Sequence, residues 1–183
     1  MNHCTGEREG KLSIMKNAFY FQYDSPFGKS VIVCTYKSMI YFSLRPGDLN
    51  DIHQELRRMG CAIETGTPPL GEKIKHQLDE YFQKKRKKFT IPIEFKGTPF
   101  QNKVWETLRQ VPLGRVITYG ELARLSGYPH AARAVGSAMA HNRIPILIPC
   151  HRVVAANGRL GGFTGGLDIK KRLLAIEEVT LPV

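Results

Sequence analysis

Apolar positions between Asn17 and Leu44 come in short aromatic and β-branched runs. Asn17 to Asp24, Ser30 to Tyr36 and Met39 to Leu44 read as strands, the first two joined by the turn Ser25-Pro26-Phe27-Gly28. Together they predict a short antiparallel meander. Asp48 to Met59 then changes period: Ile52, Leu56 and Met59 fall on one helical face, and Gly60 stops it. Cys61 to Glu64 is a short strand candidate, and Thr67-Pro68-Pro69 breaks the chain. Leu70 to about Lys85 is amphipathic through Ile74, Leu78, Tyr81 and Phe82. The basic run Lys84-Lys85-Arg86-Lys87-Lys88 would complement the dipole at that helix's C-terminus, with a nucleic-acid patch as the alternative. Phe89 to Phe95 alternates around Pro92 and predicts an edge strand.

A boundary is expected near Lys96-Gly97, dividing the chain into 17–96 and 97–183, with 1–16 as a loose N-terminal tail. Thr98-Pro99-Phe100-Gln101 is a helix start: Thr98 caps, Pro99 takes the first position and Gln101 closes a capping box. That helix should run to about Gln110 and bury Phe100, Val104, Trp105 and Leu108. Thr118-Tyr119-Gly120-Glu121 is a second capping box, opening a short helix with Leu122 and Leu125 that Gly127 ends. His130 to about Ala140 is a further helix, made almost wholly of small residues with Arg133 among them. Two short helices across a tight glycine turn predict a helix-turn-helix. A reading helix usually carries long polar side chains for base edges. Their near absence here predicts binding without strong sequence preference. Leu167 to Glu178 is the last helix, with Ile169, Leu173 and Ile176 in one stripe. Glu177 lies at the stripe's margin, where a solvated flank is the ordinary outcome; buried, it would need His151 or Arg152 as partner. Glu178 points away, toward water.

Composition adds a partner class. The net charge is +11, which points to a polyanion, most simply nucleic acid. No apolar run approaches the roughly 20 residues of a membrane span. Met1 to Lys16 is polar and lacks the apolar core of a signal peptide, so an intracellular site is expected. Cysteines stand at 4, 34, 61 and 150 with no CxxC pair, so a zinc site has no support. A disulfide among Cys4, Cys34 and Cys61 stays open. The glycine-rich stretch Gly161 to Gly166 lacks the spacing and the lysine of a phosphate loop, and reads as a flexible loop beside a pocket.

The chemistry concentrates in Ile146-Leu147-Ile148-Pro149-Cys150-His151-Arg152-Val153-Val154. A free cysteine most often simply packs. Here an imidazole adjoins it between two apolar pieces, a plausible nucleophile site.

Taken together, these motifs resemble the O6-alkylguanine-DNA alkyltransferases, over about Ser25 to Glu177 and most densely from Thr98 onward. Ile148-Pro149-Cys150-His151-Arg152-Val153 is similar to the family's active-site signature. Phe100-Gln101-Val104-Trp105, then Val111-Pro112-Gly114 with Thr118-Tyr119, are similar to the segment before it. Ala131 to Gly136 is similar to its DNA-contacting helix, and Leu173 to Glu177 to its closing helix. The resemblance implies an α/β (α+β) fold: a ribonuclease-H-like N-terminal domain with antiparallel sheet and helices, then a mostly helical, winged-helix-like helix-turn-helix domain. It implies single-turnover DNA repair, in which the alkyl group of O6-alkylguanine, and of O4-alkylthymine, passes to Cys150. His151 would act as base through a bridging water, Glu177 would hold the imidazole, and Asn142 would brace the active-site turn. Tyr119 would donate to the guanine ring. The carbonyls of Cys150 and Val153 would accept from its amine, and the backbone around Thr164 would approach O6, with Phe163 and Met139 in the base pocket. Arg133 would replace the flipped base, with Thr118, Tyr119, Ala132 and Gly136 along the DNA. No cofactor or metal is implied. The partner is double-stranded DNA containing alkylated guanine, bound by a monomer in the cytoplasm, or in the nucleus of a eukaryote, with no membrane role.

Three positions depart from the family pattern. Phe163 stands where Tyr is frequent, Glu178 where Gly is common, and the N-terminal Cys and His do not reproduce the zinc spacing of some members. A non-catalytic lesion-binding protein is the main alternative, weakened because such proteins replace the acceptor cysteine. A DNA-binding regulator lacks its base-reading residues, and a thiol peptidase would need a base that does not adjoin its own nucleophile.

Overall fold

A computed structural model describes residues 16–45, 49–58 and 60–181. Residues 1–15 of the expected tail, with Cys4, and Asp48 and Met59 of the first predicted helix lie outside the described residues; Lys16, expected in the tail, pairs with Cys61 and opens the first strand instead. Strands β1 (Lys16–Ser25), β2 (Gly28–Cys34) and β3 (Met39–Ser43) form the expected meander, with Ser25 opposite Gly28 across the turn. After α1 (Leu49–Arg58), strand β4 (Cys61–Thr65) joins the other side of β1, so the sheet order is β3-β2-β1-β4. This last pairing is parallel, because the chain crosses over through α1 before returning. The sheet is therefore not purely antiparallel.

Both faces of the sheet are covered, which explains why its strands read as nearly unbroken apolar runs. Val31 and Val33 pack with Ile52, Leu56 and Cys61 on one face. Phe21, Ile32, Cys34 and Phe42 point the other way, into a core shared with α2 (Pro69–Phe82) and the second half of the chain. Cys34 and Cys61 thus sit on opposite faces, and no disulfide joins them.

Helix α2 ends at Phe82, earlier than the periodicity predicts, and Lys84 turns left-handed at φ 62°. The basic run consequently lies past the helix rather than in its last turn. Arg86 folds back to pair with Glu80 at 2.7 Å, and Lys84 reaches Glu178 at 3.2 Å. Phe89 to Phe95 is not a regular strand: it makes one bridge, Ile93 to Met39, with Glu94 N–H donating to the Met39 carbonyl. Pro92, which lacks a donor, limits the ladder there.

Helix α3 (Pro99–Leu108) opens on the expected capping box, with Gln101 N–H to Thr98 Oγ1 at 3.2 Å and Thr98 N–H to Gln101 Oε1 at 2.9 Å. Val104, Trp105 and Leu108 are buried, whereas Phe100 is only half-buried, against Tyr128. Trp105 Nε1 donates to the Ala138 carbonyl, tying α3 to α5 (Ala132–Ala140). Between them α4 (Tyr119–Leu125) follows its own capping box; Leu122 is buried and Leu125 is exposed. A Ser, Thr, Asp or Asn cap is worth about 1 kcal/mol. Helices α4 and α5 pack as the predicted helix-turn-helix. Strands β5 (Ile117–Thr118) and β6 (Val153–Val154) pair in parallel beneath it, and α6 (Leu167–Ile176) closes the chain.

Candidate active site

Cys150 is presented by two successive tight turns. Leu147 N–H donates to the Pro145 carbonyl across Ile146, which is held at φ 71°. A β-branched residue at positive φ is a strained outlier, and such strain persists where surrounding packing enforces it. Ile146 is 2% exposed, so it cannot relax outward. Cys150 N–H then donates to the Ile148 carbonyl across Pro149, at φ −80° and ψ 63°, the inverse γ-turn geometry. One helical turn, Cys150–Arg152, follows and leads into β6. Asn142 braces this arrangement. Its Nδ2 donates to the Ile148 carbonyl at 2.8 Å and to Cys150 Sγ at 3.0 Å, while its Oδ1 accepts from Ile144 N–H.

Behind the cysteine, His151 is fully buried and its Nε2 lies 2.8 Å from Glu177 Oε1. A carboxylate only accepts, so Nε2 carries the proton and Nδ1 is the basic nitrogen. Nδ1 has no partner among the described residues. Glu177 is 1% exposed, not a solvated flank. Arg152 grips it with two nitrogens, Nε to Oε2 and Nη2 to Oε1, each at 2.8 Å, and anchors Nη1 on the Val111 carbonyl. Tyr81 Oη adds a fourth donor, to Oε1 at 2.8 Å. Burial works against the ionised carboxylate, but the hydrogen bonds and charges of His151 and Arg152 outweigh it and hold Glu177 at about 2.

Burial pushes the Cys150 thiol up to about 11, opposed by the Asn142 hydrogen bond and the Lys170 charge. It pulls His151 below its ordinary range, opposed by Glu177. The resting pair at neutral pH is therefore thiol and neutral imidazole: a nucleophile that must lose a proton, beside a base free to take one.

Lys170 is fully buried on α6, and Nζ donates to the carbonyls of Val153 at 2.6 Å, Gly162 at 3.2 Å and Leu160. Burial lowers it to about 8, against the raising influence of Cys150. Its grip bears on one expected contact: the Val153 carbonyl already accepts from Lys170, and the Cys150 carbonyl from Val153 N–H.

Two cavities meet at Cys150. One, of about 280 Å³, lies between α4, α5 and the glycine loop, lined by Tyr119, Gly136, Met139, Phe163 and Thr164. The other, of about 180 Å³, runs toward β3 past Asn142, Pro145, Tyr41 and Phe42. Tyr119 reaches the Gly162 carbonyl only loosely, at 3.4 Å, and burial with the nearby Cys150 charge raises its hydroxyl, keeping it a donor. Gly161 is required at this contact: φ is 63°, and a β-carbon would sit 3.0 Å from the Tyr119 ring. The sequence-predicted residues Cys150, His151, Glu177, Asn142, Tyr119, Met139, Phe163 and Thr164 thus converge, with the Val153 carbonyl beneath the loop. Arg133 stands exposed on α5, whose first residue is Ala132, and Gly136 faces Tyr119. The Thr118 hydroxyl is committed to its capping box, bonding Glu121 Oε2 at 2.8 Å.

Sequence reasoning missed Tyr81 and Lys170. Tyr81 was legible as core, but its hydroxyl needed a partner, which was the available signal. Lys170 sits four residues before Leu174, which is buried, so it belongs on a wide apolar face.

A thiol beside a buried imidazole–carboxylate pair, packed against a helix-turn-helix, makes a candidate reactive cysteine on the kind of scaffold that binds DNA. Known proteins narrow this. Residues 18–95 match the family of the 6-O-methylguanine DNA methyltransferase ribonuclease-like domain, and 99–179 match that of its DNA-binding domain. The constitutive methylated-DNA–protein-cysteine methyltransferase of Bacillus subtilis is 47% identical over 115 residues, covering 62% of this chain and 69% of its own. The O6-methylguanine methyltransferase of Mycobacterium tuberculosis superposes with a TM-score of 0.75 at 32% identity, over 88% of this chain and 93% of that one. A structure of OGT from that organism in complex with DNA gives 0.74 at 33% identity, over 87% and 93%. The chain belongs to the 6-O-methylguanine DNA methyltransferase family.

Proposed function

We propose that this chain repairs double-stranded DNA by taking the alkyl group of O6-alkylguanine, and of O4-alkylthymine, onto Cys150, once per molecule. The observation that carries this is the Cys150 sulfur at the junction of two cavities, backed by the buried His151–Glu177 pair. The target atom lies inside the duplex, so the base must be turned out, at a cost of a few kcal/mol. Arg133 on the small-residue helix α5 fills the gap, with Ala132, Gly136 and Thr118 along the backbone. Tyr119 and the Val153 carbonyl hold the ring, with Met139, Phe163 and Thr164 around it.

In the transfer a C–S bond forms as the alkyl C–O bond breaks, and the electron pair of the broken bond stays on O6. The thiol proton passes through a water to His151 Nδ1, with Glu177 holding the imidazolium. Tyr119 supports the departing ring, the restored guanine takes up one proton from water, and the imidazolium returns the thiol's proton to water, which closes the count. The thioether is not reversed by thiol exchange. In this reading the chain divides into a ribonuclease-H-like unit, 17–96, and a DNA-binding and active-site unit, 97–183. It acts as a monomer in the compartment that holds the DNA, the cytoplasm or a eukaryotic nucleus. Among the described residues no helix is long and apolar enough to cross a membrane.

The test is mass spectrometry after incubation with duplex DNA bearing O6-methylguanine. One added methyl on the Cys150 peptide is expected, and Cys150→Ala should abolish it while keeping lesion binding. No mass gain with saturating lesion DNA would overturn the alkyltransferase reading. It would favour the non-catalytic lesion-binding protein, against which the presence of Cys150 already counts.

A further inference from the structure

The carboxylate that orients the imidazole belongs to the second half of the chain, yet one of its donors comes from the first. Tyr81 lies on α2, 96 positions before Glu177, and is 1% exposed. Its ring is fixed by Phe82 and Phe89, with centroids 5.2 and 5.5 Å away. Its hydroxyl and His151 Nε2 therefore donate to the same atom, Oε1, each at 2.8 Å, while Arg152 supplies the other two hydrogen bonds. We propose that Tyr81 is a positioning residue for the transfer: it shares Oε1 with His151 and thereby sets how strongly Glu177 pulls on the imidazole.

The proposal rests on the alkyltransferase reading of the site, and it assigns the first half of the chain a part in the chemistry. A phenol donor draws negative charge from the oxygen it bonds. Without it, Oε1 would stabilise the imidazolium more strongly, and His151 would hold a proton to higher pH. The other charged or titratable groups near the pair are Arg152 and Cys150 from the Cys150–Arg152 turn and Lys170 from α6. Lys84, Arg86 and Lys87 from the segment after α2, and Glu178 from the end of α6, line the small cavity behind Glu177. Of these groups only Arg152 donates a hydrogen bond to Glu177, so Tyr81→Phe is a clean removal of one donor with the ring retained.

The experiment is a pH series of single-turnover methyl transfer by the full chain on O6-methylguanine duplex, paired with NMR titration of the His151 imidazole. Tyr81→Phe is expected to move the acid limb and the imidazole titration upward by about half to one pH unit, a roughly three- to tenfold loss below the midpoint. Recovery should be near complete at higher pH. Site-specific 3-fluorotyrosine at position 81, a stronger donor of nearly the same shape, should move both downward. Ile52→Val, in the core on the opposite face of the sheet, should lower thermal stability and leave the pH profile in place. Profiles and titrations that coincide for the unmodified, Tyr81→Phe and fluorotyrosine proteins would overturn the role. Absence of transfer by the unmodified chain would instead sink the alkyltransferase reading, and the imidazole titration would still decide the Tyr81–Glu177–His151 coupling.

Discussion

The two sides of Cys150 are built on different principles. Behind it, Glu177 accepts four hydrogen bonds, and Tyr81, His151, Arg152 and Glu177 are all nearly or fully inaccessible. In front, Tyr119 makes one long contact at 3.4 Å, Thr164 is exposed, and glycines 161 and 166 have positive φ. The rear is finished without a substrate; the front is left open for one. Electrostatic groups that must stabilise charge work best when fixed beforehand, because no reorganisation is then needed at the moment of reaction. A surface that must receive a flipped base works the other way, since every internal hydrogen bond made there would have to be broken on binding. Lys170 joins the two designs. From inside the core it holds β6, which continues from the active-site turn, and the glycine loop that faces the pocket.

The largest effect is expected at the centre of the rear network. Glu177→Gln leaves the Arg152 guanidinium buried without its counter-charge, which should cost about 3–5 kcal/mol of stability by denaturant unfolding. It should also slow methyl transfer by on the order of 10²-fold or more, as loss of base orientation does. The pH dependence sharpens this. Glu177 is held at about 2 when folded, below its ordinary 4.5. Its contribution is therefore fully present above 4.5 and is lost as pH falls through about 2. Unfolding free energy of the unmodified chain should drop across that window, and the Glu177→Gln protein should lack this component. An identical acid profile in both would show that the rear network is not the stabilising unit argued for.

Lys170→Met should act more moderately, through both sides at once. Three carbonyls lose their donor, an expected stability loss of about 1–3 kcal/mol. The ammonium also favours a negative charge on the Cys150 sulfur. That support is present while Lys170 is protonated and disappears as pH rises through about 8. Transfer by the unmodified chain should therefore decline above about 8, and the Lys170→Met protein, slower by about tenfold at neutral pH, should show no such decline. A shared alkaline limb would remove Lys170 from the chemistry and leave it a structural clamp.

How much of this was legible beforehand follows the same division. Strands β1 to β4, both capping boxes, the helix-turn-helix and the Cys150–His151 stretch were readable because each depends on residues close in sequence, whereas the alternation of Phe89 to Phe95 yielded only a single bridge. The parallel pairing of β4 was not, since register across a crossover leaves no local mark. Nor was the end of α2 at Phe82: periodicity continued to Lys85, but the chain turned left-handed at Lys84. The burial of Glu177 escaped a helical wheel because its partners come from α2 and the active-site turn, 96 and about 25 positions away. Residues that face a future ligand, such as Tyr119 and Thr164, were placed by family resemblance alone, since an open pocket imposes no pattern on its lining.

The smallest effect on the fold, and the one most specific to the open side, is expected at Arg133. Its side chain stands exposed on α5, so Arg133→Ala should leave stability within about 0.5 kcal/mol by denaturant unfolding. Transfer from an O6-methylguanine duplex should nevertheless fall by roughly ten- to a hundredfold, a loss of about 1.4–2.8 kcal/mol in the step that extrudes the base. Transfer from the free base O6-methylguanine, which needs no extrusion, should be nearly unchanged. Mismatched duplexes, in which the lesion is already poorly stacked, should fall between. Equal losses on duplex and free base would place the defect at the cysteine instead, and the separation between a finished rear and an open, DNA-facing front would fail at its most exposed residue.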